Sequence, residues 1–177
     1  MTLGMNGSTF TGKMAFLDTC VASAVAKGEL SPADSVAFGT IADAVARSDV
    51  TLWASTIMKR EMDRIPARHR DPHLAEYNAL RKVTAAPSTN WIDDRADSSS
   101  FGQVTVHPTF KALAEILPDR TDAELIYQAQ AHGVSDFITV DEKTILSRAT
   151  EIRARVGVNV YSPAQYVTLV LGFQPST

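Results

Sequence analysis

The chain has 177 residues, of which 45 % are apolar and 21 % charged, as in an ordinary globular protein with one sizeable core. Its net charge of -3 and pI near 5.8 give no overall attraction to nucleic acid or membranes, so a polyanionic partner would need a local basic patch. The single cysteine, Cys20, excludes an internal disulfide and, with only four histidines, a zinc cluster, which makes a reducing cytoplasm the default compartment.

The N-terminal segment, residues 1–13, is predicted to be a flexible leader. It lacks a signal-peptide core because Asp18 interrupts the apolar run that starts at Met14. Nowhere does the sequence approach the ~20 consecutive apolar residues of a membrane span. Residues 14–177 are predicted to form one domain, since neither an internal repeat nor a linker interrupts them.

Helices and strands alternate in the first half of the chain. The predicted elements are a strand at 14–17, helices at 19–27 and 32–47, a strand at 49–55, and helices at 56–65 and 72–83. Gly28 is placed to cap the first helix, and Ser31 before Pro32 is typical of a helix start. Ser55 can cap the next helix, which Pro66 ends.

Residues 84–106 are the least regular part of the sequence. They are rich in polar loop residues and hold no periodicity for long. A segment of this length is either an ordered functional loop or partly disordered, because long irregular loops are uncommon in compact domains.

Regular patterns resume at Pro108. A helix is predicted at 108–117, a helix from a capping box formed by Thr121 and Glu124 to Gly133, a strand at 137–140, a helix at 142–155, a strand at 158–161 and a last helix from Ser162 and Pro163. Strands that alternate with helices in this way predict an α/β fold of three layers, α/β/α, around a central and mainly parallel sheet.

Acidic residues follow two of these strands directly. Asp18 comes after the strand at 14–17, and Asp141 ends the strand at 137–140. Ligands of parallel sheets bind at the carboxyl ends of the strands. Asp122 lies in the first turn of a helix, and Glu61 lies about two turns into the helix after the second strand. Each acid alone also has a structural explanation, as a helix cap, a favourable charge at a helix N-terminus or a solvated surface residue.

The order of these acids resembles a known family. The segments "FLDTCVASA", "TLWASTIMKRE", "TDAELIYQAQAHGVSDFITVDEKTIL" and "VYSPAQYV" are similar to those of PIN-domain nucleases, many of which are ribonuclease toxins of VapC-type toxin–antitoxin pairs. That family's four acids fall here on Asp18, Glu61, Asp122 and Asp141, and Thr139 supplies the threonine of its Thr-x-Asp motif. The resemblance covers about residues 14–167 and is weakest between 66 and 117.

The resemblance implies a PIN-like domain that hydrolyses RNA with a divalent metal ion. Two carboxylates about 4 Å apart repel by roughly 4 kcal/mol at an effective dielectric constant near 20, so converging acids need a cation. Ligands that are all oxygen favour Mg²⁺ or Mn²⁺ over zinc. Asp18 and Asp141 are expected to be metal ligands. Asp122 is expected either to be a ligand or to hydrogen-bond to one, and Glu61 is expected to position or deprotonate the attacking water. A small antitoxin protein and homodimerisation are expected from the family alone.

Residues 59–70, "KREMDRIPARHR", carry five Lys or Arg against two acids and so predict a basic rim for RNA phosphates. The alternative is a solvated helix face. The candidate substrate-binding residues are Thr19, Ser55, Lys59, Arg60 and Thr139, although capping or strand propensity explains the hydroxyl residues nearly as well. Asp136 and Glu142 are reserve acids, which are better explained by a turn and by a helix N-terminus.

Other site chemistries fit less well. A haloacid-dehalogenase-type site needs a second acid two residues after Asp18, but position 20 is a cysteine. A phosphatase loop with Cys20 as its nucleophile needs an arginine six residues later, but position 26 is an alanine. Cys20 is better interpreted as a buried apolar thiol. His69 and His73 have metal-pair spacing, but Pro72 interrupts their helix. The remaining alternative is a PIN-like module that binds RNA or protein without cutting; four mutually repelling acids argue against it.

Overall fold

A sheet of five parallel strands forms the middle layer of the protein. The computed structural model describes residues 12–92 and 107–173. The strands are β1 (Lys13–Leu17), β2 (Val50–Ser55), β3 (Thr89–Ile92), β4 (Asp136–Ile138) and β5 (Asn159–Tyr161), and they lie side by side in the order β3-β2-β1-β4-β5.

Helices connect these strands and cover both faces of the sheet. They are α1 (Thr19–Lys27), α2 (Pro32–Ala46), α3 (Thr56–Asp63), α4 (Ala67–Arg70), α5 (Leu74–Ala85), α6 (Pro108–Ile116), α7 (Arg120–Ala131), α8 (Ala149–Val156) and α9 (Pro163–Tyr166). Short 3-10 turns span Asp71–His73 and Leu146–Arg148, and a π-helical turn spans Val167–Leu171. No helix within the described ranges combines the length and apolar character needed to cross a bilayer.

Successive strand residues point to opposite faces and build two separate cores. Ala15 and Leu17 of β1 face a core shared with α1, α2 and α5. Phe16 faces the other side, where its ring stacks on Phe137 of β4 at a centroid distance of 5.4 Å, in a core shared with α6 and α7. The predicted three-layer α/β/α architecture is therefore confirmed.

The direction of the chain across the sheet reverses between β1 and β4. From β1 the chain adds β2 and then β3 on one side, and β4 and β5 follow on the other side. The register pairs Leu17 with Ile138, and the Asp18 amide donates to the Ile138 carbonyl at 2.9 Å. The segments that follow β1 and β4 are therefore adjacent at a topological switch point, which is the preferred ligand position in such sheets.

Several predicted helix ends match the structure. Gly28 takes a left-handed conformation after α1, and the side chains of Ser31 and Ser55 cap α2 and α3. Ser162 and Gln165 form a capping box at the start of α9. These ends are predictable because the cap and the groups it satisfies lie within a few residues of each other.

Two predictions in the second half are wrong. The capping box of Thr121 and Glu124 is replaced by Asp119, whose carboxylate accepts from the Thr121 amide at 2.7 Å, so that α7 starts at Arg120. The helix predicted at 142–155 begins only at Ala149, because residues 142–145 form a turn held by Asp141. In both places the carboxylate of an aspartate two or three residues upstream accepts hydrogen bonds from free backbone amides.

The segment predicted to be irregular, 84–106, contains a strand. Residues Thr89–Ile92 pair in parallel with Leu52–Ser55 and form the edge strand β3. A strand of four residues shows too little alternation to be recognised by its pattern. Residues 93–106 lie outside the described part of the chain. The same holds for 1–11 of the predicted leader, whereas Lys13 already belongs to β1.

Gly28 follows the last residue of α1 and caps that helix, and we expect Gly28→Ala to destabilise the protein. Its φ is +66°, and an added Cβ would lie 2.1 Å from Nε2 of His73. The cost combines the strain of a left-handed alanine, about 1–2 kcal/mol, with displacement of the imidazole. Gly157→Ala is the matched control, since its φ is +75° with no atom within 4 Å of the new Cβ. Denaturant titration should show the larger loss at Gly28; equal losses would exclude the His73 contact.

Candidate functional site

Asp18 stands at the centre of the candidate site. It follows β1 directly and is only 3 % exposed. Its carboxylate caps α1 by accepting from the Cys20 amide at 3.4 Å. Burial raises the pKa of Asp18, hydrogen bonds from Cys20 and Thr139 lower it, and the negative charge of Asp141 raises it again; the net shift is upward. A cation near Asp18 would therefore be stabilising.

Thr139 links the two acids at the switch point. It is fully buried, and its hydroxyl donates to Asp18 Oδ2 at 2.7 Å while it accepts from the Asp141 amide at 3.1 Å. The structure has Thr139 in contact with a carboxylate of the site; its contact with substrate stays a prediction. Thr139 fixes where Asp18 and Asp141 stand relative to each other.

Asp141 organises the turn that follows β4. Its Oδ1 accepts from the amides of Lys143 and Thr144 at 3.1 and 2.9 Å, and the Thr144 hydroxyl donates to its Oδ2. Burial would raise the pKa of Asp141, but these hydrogen bonds outweigh burial and hold it below its usual value. Asp141 therefore stays ionised, and it holds a turn rather than capping a helix, which was the alternative that the sequence offered.

Asp122 approaches this pair from α7. It is half-buried in the first turn, and its Oδ2 lies 3.5 Å from the Thr144 hydroxyl that also binds Asp141. Burial and the negative charges of Asp18, Asp119 and Asp141 raise the pKa of Asp122 to about 6. The shift shows that Asp122 shares one electrostatic environment with both strand-end acids.

Glu61 is the fourth acid, and it lies on α3, the helix that follows β2. It is exposed on α3, yet partial burial and the charge of Asp18 raise its pKa, while Arg64 and Lys27 lower it; the net shift is upward. The structure thus brings all four predicted acids to one end of the sheet. Asp18 is the member that interacts with each of the other three.

The donor set suits a hard divalent ion, but no finished coordination shell is present. Among residues 12–92 and 107–173, no group of three or more His, Cys, Asp or Glu side chains is arranged to hold a metal. Mg²⁺ does not require such a group, because it usually keeps several waters and binds through one or two carboxylates. Asp18 and Asp141 are the pair that could hold it, and Asp122 shares the Thr144 hydroxyl with Asp141.

Cys20 and Thr144 bind the acids of this site, which was not predicted from the sequence. The Cys20 thiol donates to Asp18 Oδ2 at 2.9 Å and lies 3.2 Å from the Thr139 hydroxyl. Burial and the Asp18 charge raise the pKa of Cys20 to about 12, so it is a neutral donor and not simply an apolar filler. The signals were the spacings Asp-x-Cys and Asp-x-x-Thr, which place Cys20 and Thr144 within reach of the preceding carboxylates.

The remaining predicted residues are spread around the site. Ser55 is buried and bound to the Ile57 amide at 3.2 Å as a cap, and Thr19 is half-buried at the start of α1. Lys59 is exposed, with its Nζ 5.8 Å from the centre of the Trp91 ring, and Arg60 is half-buried on the same helix. Ser55 is therefore a structural residue.

Of the two reserve acids, Asp136 is remote from the cluster and Glu142 follows Asp141 in the chain. Asp136 is at the opposite end of β4, where it accepts from the Asn159 amide group at 3.0 Å. Glu142 is exposed in the turn after Asp141. Neither acid is among the charges that shift the pKa of Asp18, Glu61 or Asp122, so the four acids above form the candidate site.

Comparison with known proteins adds no family assignment. No protein-family model matches the chain, and neither does any curated protein or solved structure. The interpretation of the site therefore depends on its own geometry and charges.

Asp122 provides a pH test of the cluster without any ligand. A carboxyl whose folded pKa is raised contributes stability below its unfolded pKa, and this contribution is lost as pH rises through the folded pKa. In EDTA we expect Asp122→Asn to gain melting temperature relative to wild type as pH rises from about 4 to about 6, with a constant difference above that. Melting curves between pH 4 and 8 measure it. A difference that does not change with pH would show that neither burial nor the neighbouring charges raise the pKa of Asp122.

Proposed function

We propose that the protein is a metal-dependent endoribonuclease that hydrolyses RNA phosphodiester bonds with Mg²⁺ or Mn²⁺. The observation that carries the proposal is the position of Asp18 and Asp141 at the switch point, joined by Thr139 and flanked by Asp122 and Glu61. Mutually repelling carboxylates at a ligand-binding edge are costly to a fold, and a divalent ion removes that cost. The sequence resemblance to PIN-domain nucleases points to the same chemistry.

Each side chain has a distinct task in this proposal. Asp18 and Asp141 would hold the ion, Thr139 and Thr144 hold their carboxylates in place, and Asp122 would add negative charge beside them. When bound, such an ion lowers the pKa of water and neutralises charge on the phosphorus oxygens. Glu61 would accept the proton of the attacking water, and its raised pKa supports this role. Water forms one new P–O bond while one ester P–O bond breaks, which leaves a phosphate end and a hydroxyl end.

The direct test is incubation of the purified protein with total RNA, followed by mapping of the ends. We expect cutting with Mg²⁺ or Mn²⁺ and none in EDTA. Ends that carry the phosphate as a cyclic ester would show attack by the RNA 2′-hydroxyl and would contradict hydrolysis by water. Binding of RNA without cutting, with either ion, would favour the non-catalytic module.

Metal binding can be tested without RNA. A ligand that binds only the folded state adds about 2.7 kcal/mol of stability at 100 times its Kd. At about 2–4 °C per kcal/mol for a protein of this size, Mn²⁺ should raise the melting temperature by several degrees. Asp141→Asn is the matched variant and should show a much smaller rise. An unchanged wild-type melting temperature up to millimolar Mn²⁺ would contradict a metal site.

A further inference from the structure

We propose that a cavity between α1 and the α3–α4 segment binds one nucleotide of a single-stranded RNA next to the cleavage site. The cavity has a volume of about 440 Å³ and includes Glu61 in its lining. Its size is within the 300–1,000 Å³ range typical of small-molecule pockets. The inference rests on the proposed function, because it identifies Glu61 as the point where the cavity meets the acid cluster.

The cavity has an apolar wall. Ala22 and Ala26 of α1 and Ile65 and Pro66 after α3 supply small apolar surfaces. Unstacked bases of single-stranded RNA present flat faces, which proteins bind by stacking on rings such as histidine or on arginine planes; His69 and Arg64 also line the cavity. A base from a paired duplex would remain in its stack, so the wall selects a single strand.

Positive charge lies at the same cavity. Lys27 and Arg64 are exposed members of the lining, and both are close enough to Glu61 to lower its pKa. With one acid against two cations, this part of the lining complements a phosphate. The pairing of an apolar wall with two cations matches the two parts of a nucleotide, base and phosphate. An acidic peptide would match only the cations.

Glu61 links the cavity to Asp18 and so to the proposed cleavage site. Glu61 interacts electrostatically with Asp18 on one side and with Lys27 and Arg64 on the other. A nucleotide whose base lies against Ala26 would therefore place a neighbouring phosphate towards the acids. The cavity would help to choose which phosphodiester bond is cut.

The test measures RNA binding in EDTA, where the metal-dependent reaction is absent. A fluorescent single-stranded hexanucleotide is titrated against wild type, Ala26→Phe, which fills the cavity, and a Lys27→Ala/Arg64→Ala double variant. We expect Ala26→Phe to weaken binding about tenfold, since base contacts by aromatic or apolar side chains are of that order. The double variant should lower the salt slope by about 1.4, since each phosphate contact on a single strand contributes about 0.7. Lys111→Ala, an exposed lysine on α6 in the opposite layer, is the charge control.

An abasic scan separates a base pocket from general charge attraction. Hexanucleotides that lack one base each should show one position where wild type loses affinity, and Ala26→Phe should lose that dependence. A flat scan with wild type, or binding by Ala26→Phe equal to wild type in a variant that melts normally, would overturn the proposal. Stronger competition by an acidic peptide than by adenosine monophosphate would do the same.

The two proposals fail in different ways. If Asp141→Asn abolishes cutting while both cavity variants bind RNA like wild type, the subsite is wrong and the nuclease assignment stands. If the cavity variants lose binding but Asp141→Asn cuts like wild type, the subsite stands and the assignment of the catalytic acids is wrong.

Discussion

Asp141→Asn is expected to reduce RNA cutting by at least about 100-fold, which is the upper range for loss of groups that support a metal site. The asparagine keeps the oxygen that accepts from the Lys143 and Thr144 amides, so the turn after β4 should survive. What disappears is the negative charge that would hold the ion. The measurement is the cutting rate at saturating Mn²⁺, with circular dichroism and melting as checks on the fold.

Asp136→Asn is the matched control for this prediction. Asp136 is the first residue of β4, the strand that precedes Asp141, at the end away from the site, and it accepts from Asn159. It should cut RNA like wild type because no charge near Asp18 has changed. Equal rates for wild type, Asp136→Asn and Asp141→Asn would reject the assignment of Asp141, and equal loss in both variants would locate the effect in β4 as a whole.

Phe137→Ala is expected to have the largest effect on stability, about 3–5 kcal/mol. Its ring is fully buried and stacks on Phe16 of β1, so the truncation removes apolar contacts between β1 and β4. A typical domain has only 5–15 kcal/mol of stability in total. Guanidinium titration gives the free energy of unfolding.

Phe173→Ala is the control of the same chemistry at the surface. Phe173 is 49 % exposed, and surface substitutions usually change stability by no more than about 0.5 kcal/mol. A small loss at Phe137, similar to that at Phe173, would mean that the β1–β4 pair is held by other contacts. Since that pair positions Asp18 and Thr139, Phe137→Ala should also weaken cutting at temperatures where the protein is still folded.

The candidate site was only partly visible in the sequence. The strand-end positions of Asp18 and Asp141 followed from a buried apolar run interrupted by a single acid. The hydrogen bond from Thr139 to Asp18 joins residues 121 positions apart and depends on β4 pairing with β1. No local pattern specifies which strands become neighbours, because pairing is decided by burial on both faces of the sheet.

The sequence by itself determined the elements whose signals are local: the strand–helix alternation, the left-handed cap at Gly28 and the serine caps of α2, α3 and α9. Only the tertiary structure decided the strand order, the edge strand β3, the start of α7 at Asp119 and the use of Cys20 and Thr144 as donors to the acids. Caps satisfy backbone groups within one turn and are encoded there. The four acids come together only when distant segments pack against each other. The pKa values of their carboxyl groups shift only when folding removes the water between them.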